Sequence, residues 1–443
     1  MTLPHVVIVG GGIAGLTVAY RLRGKARVTV LEKARRTGGK LMTERADGFV
    51  IEHGPDVFLT RKPWAAELCE ELGLAMQPTN PESRGSFIRW KEKLHPLPEG
   101  FGGLVPTRWI PVLRSRLLSP RGKLRLLLEP LAPTREGDGD EPLGQFVRRR
   151  LGNEAFERIV GPLLSGIYGG DPDALSLEAT FPQLRRMEQE TGSLVRGARA
   201  RRRKGVKGAM VFATLSEGLG ALPESLLERC EADIRCSVQV QSVEKDLSAW
   251  SIETADSTLV AQAVVVATPA RAAADMLPET VSRTLNEFTT GSTVTVTLGW
   301  REGPELEGYG FLAPEGDVRA CTWSSTKILG RAPKGGGLAR VFFGRGPEDP
   351  WLSASDGKLI ERAHAEVRRV TGHAASPDLA RVTRWIDAQP LYTLGHPERL
   401  DRIEGHLADC PGLFLTGASY RGVGIPDVIH HANQTARRVL AYL

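Results

Sequence analysis

The sequence is poor in cysteine: only Cys69, Cys230, Cys236, Cys321 and Cys410 carry a thiol, an odd number with no C-x-x-C pair. That spacing argues against a disulfide framework and against a cysteine-rich zinc site. The histidines form no H-E-x-x-H pattern, and the neighbours His430 and His431 point to different sides of a helix, so no metal site is expected. Long apolar runs are missing as well. None approaches the roughly 18–20 residues of a membrane span, and Val6 opens a strand where a leader would place its apolar region. A soluble, cytoplasmic protein is the expectation. No aromatic side chain interleaves the basic run Arg196 to Lys207, which argues against nucleic-acid binding. No internal repeat is visible.

What is present has globular proportions, 41% hydrophobic and 25% charged in 443 residues, a length that predicts two or three domains. Much of the net charge of +6 sits in Arg196 to Lys207, with Arg199, Arg201, Arg202, Arg203 and Lys204 inside it. This stretch reads as a mobile, solvated loop, with attraction to an anionic substrate or lipid headgroup as the alternative.

The N-terminus carries a dinucleotide fingerprint. Val6 to Val9 is a branched apolar strand, Gly10-Gly11-Gly12-Ile13-Ala14-Gly15 holds G-x-G-x-x-G, and Leu16 to Leu22 continues as a helix. Gly10 permits the tight turn, Gly12 lets a pyrophosphate approach the backbone, and Gly15 lets helix and strand pack closely. The diphosphate would lie at the positive end of that helix. A second strand, Arg27 to Leu31, leads to Glu32 and Lys33. Glu32 lies 22 residues after Gly10, where a carboxylate accepts both ribose hydroxyls and repels a 2′-phosphate.

Two further segments favour FAD over NAD. Arg36-x-Gly38-Gly39-Lys40 follows Glu32 at once, and Lys40 is placed to form a charge-assisted bond near the phosphates. Gly48 to Gly54 is a strand ending in a Gly54-Pro55 turn, followed by Asp56 and Val57, suited to passing beside a flat ring. Far downstream, Leu413 to Leu415 and Gly417-Ala418-Ser419 lead through Gly422, Val423, Gly424 and Ile425 into another helix. The cofactor is therefore expected to be held by both ends of the chain. Val238 to Val243, which includes Val240, and Leu259 to Thr268 are expected strands, the latter buried on both faces over Ala263–Ala267.

The Arg-x-Gly-Gly loop and the fingerprint resemble the flavin monoamine oxidase superfamily. Gly161-Pro162-Leu163-Leu164-Ser165-Gly166-Ile167-Tyr168, Leu175-Ser176-Leu177, Arg384-Trp385, Ala388 to Tyr392 with Gly395-His396, and Gly422-Val423-Gly424-Ile425-Pro426-Asp427 are similar to its porphyrinogen oxidases. Two positions depart from that pattern: His53 stands where Arg is common, and the Arg199–Lys204 cluster is unusually basic. The resemblance implies non-covalent FAD, held by Gly10 to Gly15, Glu32, Lys40, Gly54 to Val57, Val240, Trp385 and Val423 to Ile425. It implies six-electron oxidation of a porphyrinogen in three rounds, each passing a hydride to the flavin, which oxygen then reoxidises to give hydrogen peroxide. Lys62 and Ala320-Cys321-Thr322-Trp323 resemble the branch that uses coproporphyrinogen III. Protoporphyrinogen IX oxidation is the alternative, and an amine oxidase or a non-catalytic carrier of the same fold are remote ones. No side chain is assigned an obligatory catalytic role. The expected substrate wall is Gly166, Ile167, Tyr168 and Phe342, with Lys62 meeting a propionate. Transient contact with a ferrochelatase and with a membrane surface is also implied.

The expected architecture is α/β. A discontinuous Rossmann-like FAD domain takes 1–62, 208–270 and 385–443, a helical insertion takes 80–205, and a mixed or antiparallel substrate sheet takes 271–384. Within the insertion, the basic, leucine-rich stretch Phe101 to Leu131 reads either as a membrane-facing helix or as a domain cap. Asp138 to Pro142 is an expected loop break.

Overall fold

The computed structural model describes residues 3–443 apart from 84, 102–103, 136, 138, 205–210 and 247–248. The expected loop break at Asp138, the end of the basic stretch through Lys207, and the opening of the second FAD segment at 208 lie outside the described residues.

Val6 to Val9 is apolar at every position because both of its faces are covered. The strand His5–Val9 lies at the centre of a five-stranded sheet, parallel to Arg27–Glu32 on one side and Ala263–Val266 on the other. Asp233–Cys236 and Leu413–Leu415 form the edges. Val6, Ile8, Val28, Val30 and Val265 face one core, shared with the helices Ile13–Leu22 and Ile425–Tyr442. Val7, Val9, Leu31, Val264 and Val266 face a second core. That second face is covered by an antiparallel layer of Val240–Asp246, Ala249–Thr254 and Thr258–Ala261. The expected single strand Leu259 to Thr268 is thus two. It breaks at Gln262, whose side-chain oxygen accepts the His5 N–H at 2.7 Å, and the chain changes sheets there.

The second sheet has seven strands, in the order Leu379–Leu391, Thr289–Trp300, Gly337–Phe343, Ala320–Trp323, Gly310–Leu312, Phe87–Trp90 and Lys93–Pro96. Its last two strands come from the stretch expected in the helical insertion, and its first extends past 384 to carry Trp385. The helix Asp356–Thr371 packs on one face through Leu359, Ala363 and Val367. The opposite face carries Phe342, Arg340, Thr295, Thr383 and Trp385 in register.

A helical layer follows from Trp109 to Lys204. The basic stretch is not a loop here: Leu194–Lys204 is a helix. Buried Glu129 explains it, because its carboxylate accepts the Leu194 and Val195 N–H groups at 2.9 and 3.3 Å and so satisfies the exposed donors of a helix start.

Candidate active site

The early and late glycine turns meet at one residue. A Cβ on Gly10 (φ +107°) would lie 3.1 Å from the Ala267 carbonyl carbon, and one on Gly417 (φ +122°) 3.7 Å from its oxygen. The Ala267 N–H bonds the Val9 carbonyl at 2.8 Å, and the Thr416 N–H bonds the Val266 carbonyl at 3.0 Å. Both turns therefore sit at the carboxyl ends of the two parallel strands that flank Ala263–Val266, where open α/β sheets bind their ligands.

The fingerprint glycines divide by what surrounds them. A Cβ on Gly15 would stand 2.0 Å from the Gly10 carbonyl oxygen, so its smallness serves helix–strand packing. A Cβ on Gly12 would meet nothing within 4 Å. Nothing in the protein requires glycine there, and the open space is what a closely approaching diphosphate needs. The Arg-x-Gly-Gly loop closes on the same spot: the Gly38 N–H bonds the Gly11 carbonyl at 2.8 Å, and the Cβ position of Gly39 is 3.3 Å from Gly12 Cα. Glu32 accepts the Gly11 and Ala34 N–H groups, both at 2.7 Å, which fixes its carboxylate beside the turn. Lys33 is exposed, whereas Val240 is buried beyond Glu32, where the Val238 N–H bonds the Glu32 carbonyl at 2.9 Å.

Lys40 is half-buried and forms no ion pair or side-chain hydrogen bond among the described residues, and burial lowers its pKa to about 8. An unmatched cation beside an open glycine cradle fits a diphosphate. Its pKa gives a direction for pH. Below about 8 the ammonium is already present in the free protein, and above that value flavin binding must take up a proton. Flavin affinity is therefore expected to be flat with respect to Lys40 below about 8 and to fall as pH rises beyond it. Titrations of flavin fluorescence should show this fall, and Lys40→Met should abolish it.

The Gly54–Val57 turn is clamped from the second sheet. The Trp385 indole N–H donates to the His53 carbonyl at 2.8 Å, and Arg340 donates to the Glu52 and Gly54 carbonyls at 2.8 and 2.5 Å. The His53 ring bonds Thr383 and Glu44 at 2.7 and 3.1 Å. Asp56 takes the Lys327 ammonium at 2.8 Å, with Arg340 at 3.8 Å. Burial would raise the Asp56 pKa, but these two cations outweigh it and hold the carboxyl at about 2. Gly54 has no room for a side chain, since its Cβ would be 2.0 Å from the Lys40 carbonyl oxygen.

The expected substrate wall is partly assembled. Ile167 is exposed, and the Cβ position of Gly166 is 3.2 Å from Leu312 of the second sheet. Phe342 is half-buried beneath the Arg340 guanidinium, 4.9 Å from its ring centroid. Val423, Leu312 and Leu391 pack against the helical core at this boundary. Tyr168 is placed differently, inside that core, with its hydroxyl donating to the Thr180 carbonyl at 3.3 Å. Lys62 is not a free cation: its ammonium donates to both Asp427 oxygens at 2.6 and 2.7 Å. Arg340, Lys327 and Asp427 escaped the sequence reading of roles. Asp427 stood inside the quoted Gly-Val-Gly-Ile-Pro-Asp run, but nothing local marks Arg340 or Lys327.

The chain is similar to known proteins along its whole length. The chain is 36% identical to a coproporphyrinogen III oxidase of Bacillus subtilis (strain 168), with 99% of this chain and 98% of that protein covered. It is 35% identical to a coproporphyrinogen III oxidase of Propionibacterium freudenreichii subsp. freudenreichii, over 98% of this chain and 90% of that one. The solved structure of a putative protoporphyrinogen oxidase from Exiguobacterium sp. 255-15 superposes with a TM-score of 0.91 at 32% identity, over 100% of both chains. A family model described as flavin containing amine oxidoreductase matches residues 13–440. The family model spans nearly the whole chain, and the chain belongs to that flavin-containing amine oxidoreductase family.

Proposed function

We propose that the protein oxidises coproporphyrinogen III to coproporphyrin III with non-covalent FAD and molecular oxygen, releasing hydrogen peroxide. One observation carries the reading: the chain is 36% identical to a coproporphyrinogen III oxidase over 99% of its length, and Phe342 lies under the same Arg340 that holds the Gly54 carbonyl. When bound, FAD supplies the two-electron acceptor. The protein's task is to seat the macrocycle. Ile167, Phe342 and Val423 would offer apolar contact to the ring, and glycine at 166 lets its helix pack closely on Leu312. The carboxylates beside the turns are already matched, Asp56 by Lys327 and Arg340 and Asp427 by Lys62. Both His53 ring nitrogens are engaged. None is poised to take a proton, so loss of pyrrole N–H protons to water fits the site better than a side-chain base. The test is aerobic turnover of coproporphyrinogen III by flavin-loaded protein, followed by porphyrin fluorescence and peroxide.

The Lys62–Asp427 pair has a consequence for substrate binding. A propionate that uses Lys62 must displace Asp427. Asp427→Asn releases the ammonium and should lower KM for coproporphyrinogen about two- to fivefold, the scale of one exposed ion pair. Lys62→Ala should raise KM by a similar factor, with flavin content unchanged in both. Steady-state kinetics check this, and equal KM values in all three proteins would remove Lys62 from the site.

The same reading places the protein in the cytoplasm with reversible contact at the inner membrane face, and it makes a ferrochelatase the partner that receives product. No helix among the described residues is long and apolar enough to cross a membrane. Exposed Leu124, Leu127, Leu128 and Leu131 follow the i, i+3, i+4, i+7 spacing of one stripe, and the helix Trp109–Arg114 also exposes Ile110 and Leu113. Co-sedimentation with anionic vesicles that is lost in Leu128→Glu supports membrane contact, and no sedimentation of the parent protein refutes it.

A further inference from the structure

Tyr392 is buried at the end of the long strand Leu379–Leu391, outside the cofactor and substrate contacts described above. It is bonded in two directions. Its backbone carbonyl accepts the Ser176 N–H at 2.8 Å, and Ser176 opens the helix Leu177–Thr180 of the helical layer. Its hydroxyl donates to the Ala418 carbonyl at 2.7 Å and accepts the Gly422 N–H at 2.7 Å, spanning the late glycine turn just before Val423.

The residues around it repeat the pattern. On the helical side, the Gln389 amide donates to the Ile167 carbonyl at 3.1 Å, and the Leu394 N–H donates to the Ala174 carbonyl at 3.1 Å. Leu391 lies against Gly170, whose Cβ would be 2.8 Å from it. On the turn side, the His396 ring stacks on the Tyr392 ring, with centroids 3.9 Å apart and planes 17° apart. His396 Nε2–H reaches the Tyr420 carbonyl at 2.8 Å, and Phe288 meets both His396 and Tyr420 edge-on.

We propose that Tyr392 is a positioning residue that couples the late flavin turn to the helical layer, so that seating the cofactor also orders the Ser176 segment and the Ile167 wall. The physical reason is the burial of the Tyr392 side chain. A buried hydroxyl holding one donor and one acceptor cannot follow a shifted turn without leaving polar groups unmatched, so the strap moves with the turn or holds it. The packed stack of His396 on Tyr392 leaves the strap little freedom to absorb the shift. The coupling rests on the reading that flavin lies on the late turn.

The test compares amide hydrogen exchange of the apo and FAD-loaded full-length protein, for the parent and for Tyr392→Phe, which keeps the stacked ring and removes both hydroxyl bonds. In the parent, FAD should slow exchange at Gly422 and also at Ser176. In Tyr392→Phe, FAD should bind about tenfold more weakly, still slow exchange at Gly422 and Val423, and leave Ser176 unprotected. Protection that stops at the late turn in the parent, or that reaches Ser176 equally in Tyr392→Phe, overturns the coupling while leaving the flavin reading intact. If Tyr392→Phe does not fold, the parent alone decides by whether protection reaches Ser176. A parent that takes up no FAD overturns both.

Discussion

Gly12→Ala is expected to fold as the parent does and to hold its flavin poorly, whereas Gly15→Ala is expected to lose both fold stability and flavin. The two glycines are three residues apart in one motif, and a motif count treats them alike. Their surroundings do not. The Cβ of Gly15→Ala would fall 2.0 Å from the Gly10 carbonyl oxygen, and neither backbone can yield without separating the helix Ile13–Leu22 from the central strand. Overpacking of this kind costs about 1–3 kcal/mol, occasionally more, and acts on the apo protein. Gly12 has ordinary extended backbone, φ −75° and ψ −179°, and no neighbour within 4 Å of its Cβ position. Alanine there should change apo stability by no more than about 0.5 kcal/mol. The added methyl stands where the diphosphate approaches, so flavin affinity should fall about ten- to hundredfold, the same steric energy now charged to the cofactor. Thermal melting of apo protein and flavin titration of each variant separate the two roles. A Gly12→Ala protein that binds flavin as tightly as the parent would place the diphosphate elsewhere.

Glu129→Ala should be the most destabilising single change in the helical layer, at about 3–5 kcal/mol. Glu129 and Arg150 are both fully buried, and Arg150 Nε donates to the Glu129 carboxylate at 2.9 Å. The same carboxylate accepts the Ser193 hydroxyl at 2.5 Å and the two N–H groups that start the helix Leu194–Lys204. Removing it leaves the buried guanidinium only the longer contact to Glu188 at 3.5 Å as an ion pair, and opens a helix terminus together. Glu188 and Glu141 share the network through Arg149 and Arg185. Burial would raise the Glu188 pKa, but bonding and charge from Arg149, with Arg150 and Arg185, outweigh it and hold the carboxyl below the usual range. A depressed carboxyl stabilises the fold above its unfolded pKa and loses that contribution as pH falls through the folded one. The contribution of Glu188 to the helical layer should therefore be lost in acid. Chemical denaturation, with hydrogen exchange reporting on 143–204, measures both effects. A Glu129→Ala protein within 1 kcal/mol of the parent would contradict the assignment.

The nucleotide fold was legible because each signal was local. A branched run, a glycine motif and a helix sit within residues 5–22, and the all-apolar Ala263–Val266 announces a strand buried on both faces. The convergence of the late turn on the same crevice was legible because Gly417 and Gly424 follow a strand as Gly10 does. The clamps were not. Arg340 and Asp56 are far apart in sequence, and a lone arginine on a strand looks like a solvated one until the opposing sheet is present. Lys62 shows the same limit from the other side, since a sequence can show a cation but not that Asp427 already holds it. In the stretch Arg196 to Lys204 charge density suggests solvated chain, while the carboxylate that starts its helix lies far off in sequence at Glu129. Phe87 to Pro96 was assigned by position to the helical insertion. Its pairing with Gly310–Leu312 depends on a contact that no local pattern encodes.

The central claim is that this chain seats a porphyrinogen against FAD. Stopped aerobic turnover of the purified, FAD-loaded protein with coproporphyrinogen III, and in parallel with protoporphyrinogen IX, tests it most directly. The account predicts porphyrin fluorescence from coproporphyrinogen III well above spontaneous oxidation, faster than from protoporphyrinogen IX, with three molecules of peroxide for each porphyrin formed. A fully flavin-loaded protein that leaves both porphyrinogens to oxidise at the spontaneous rate would contradict it.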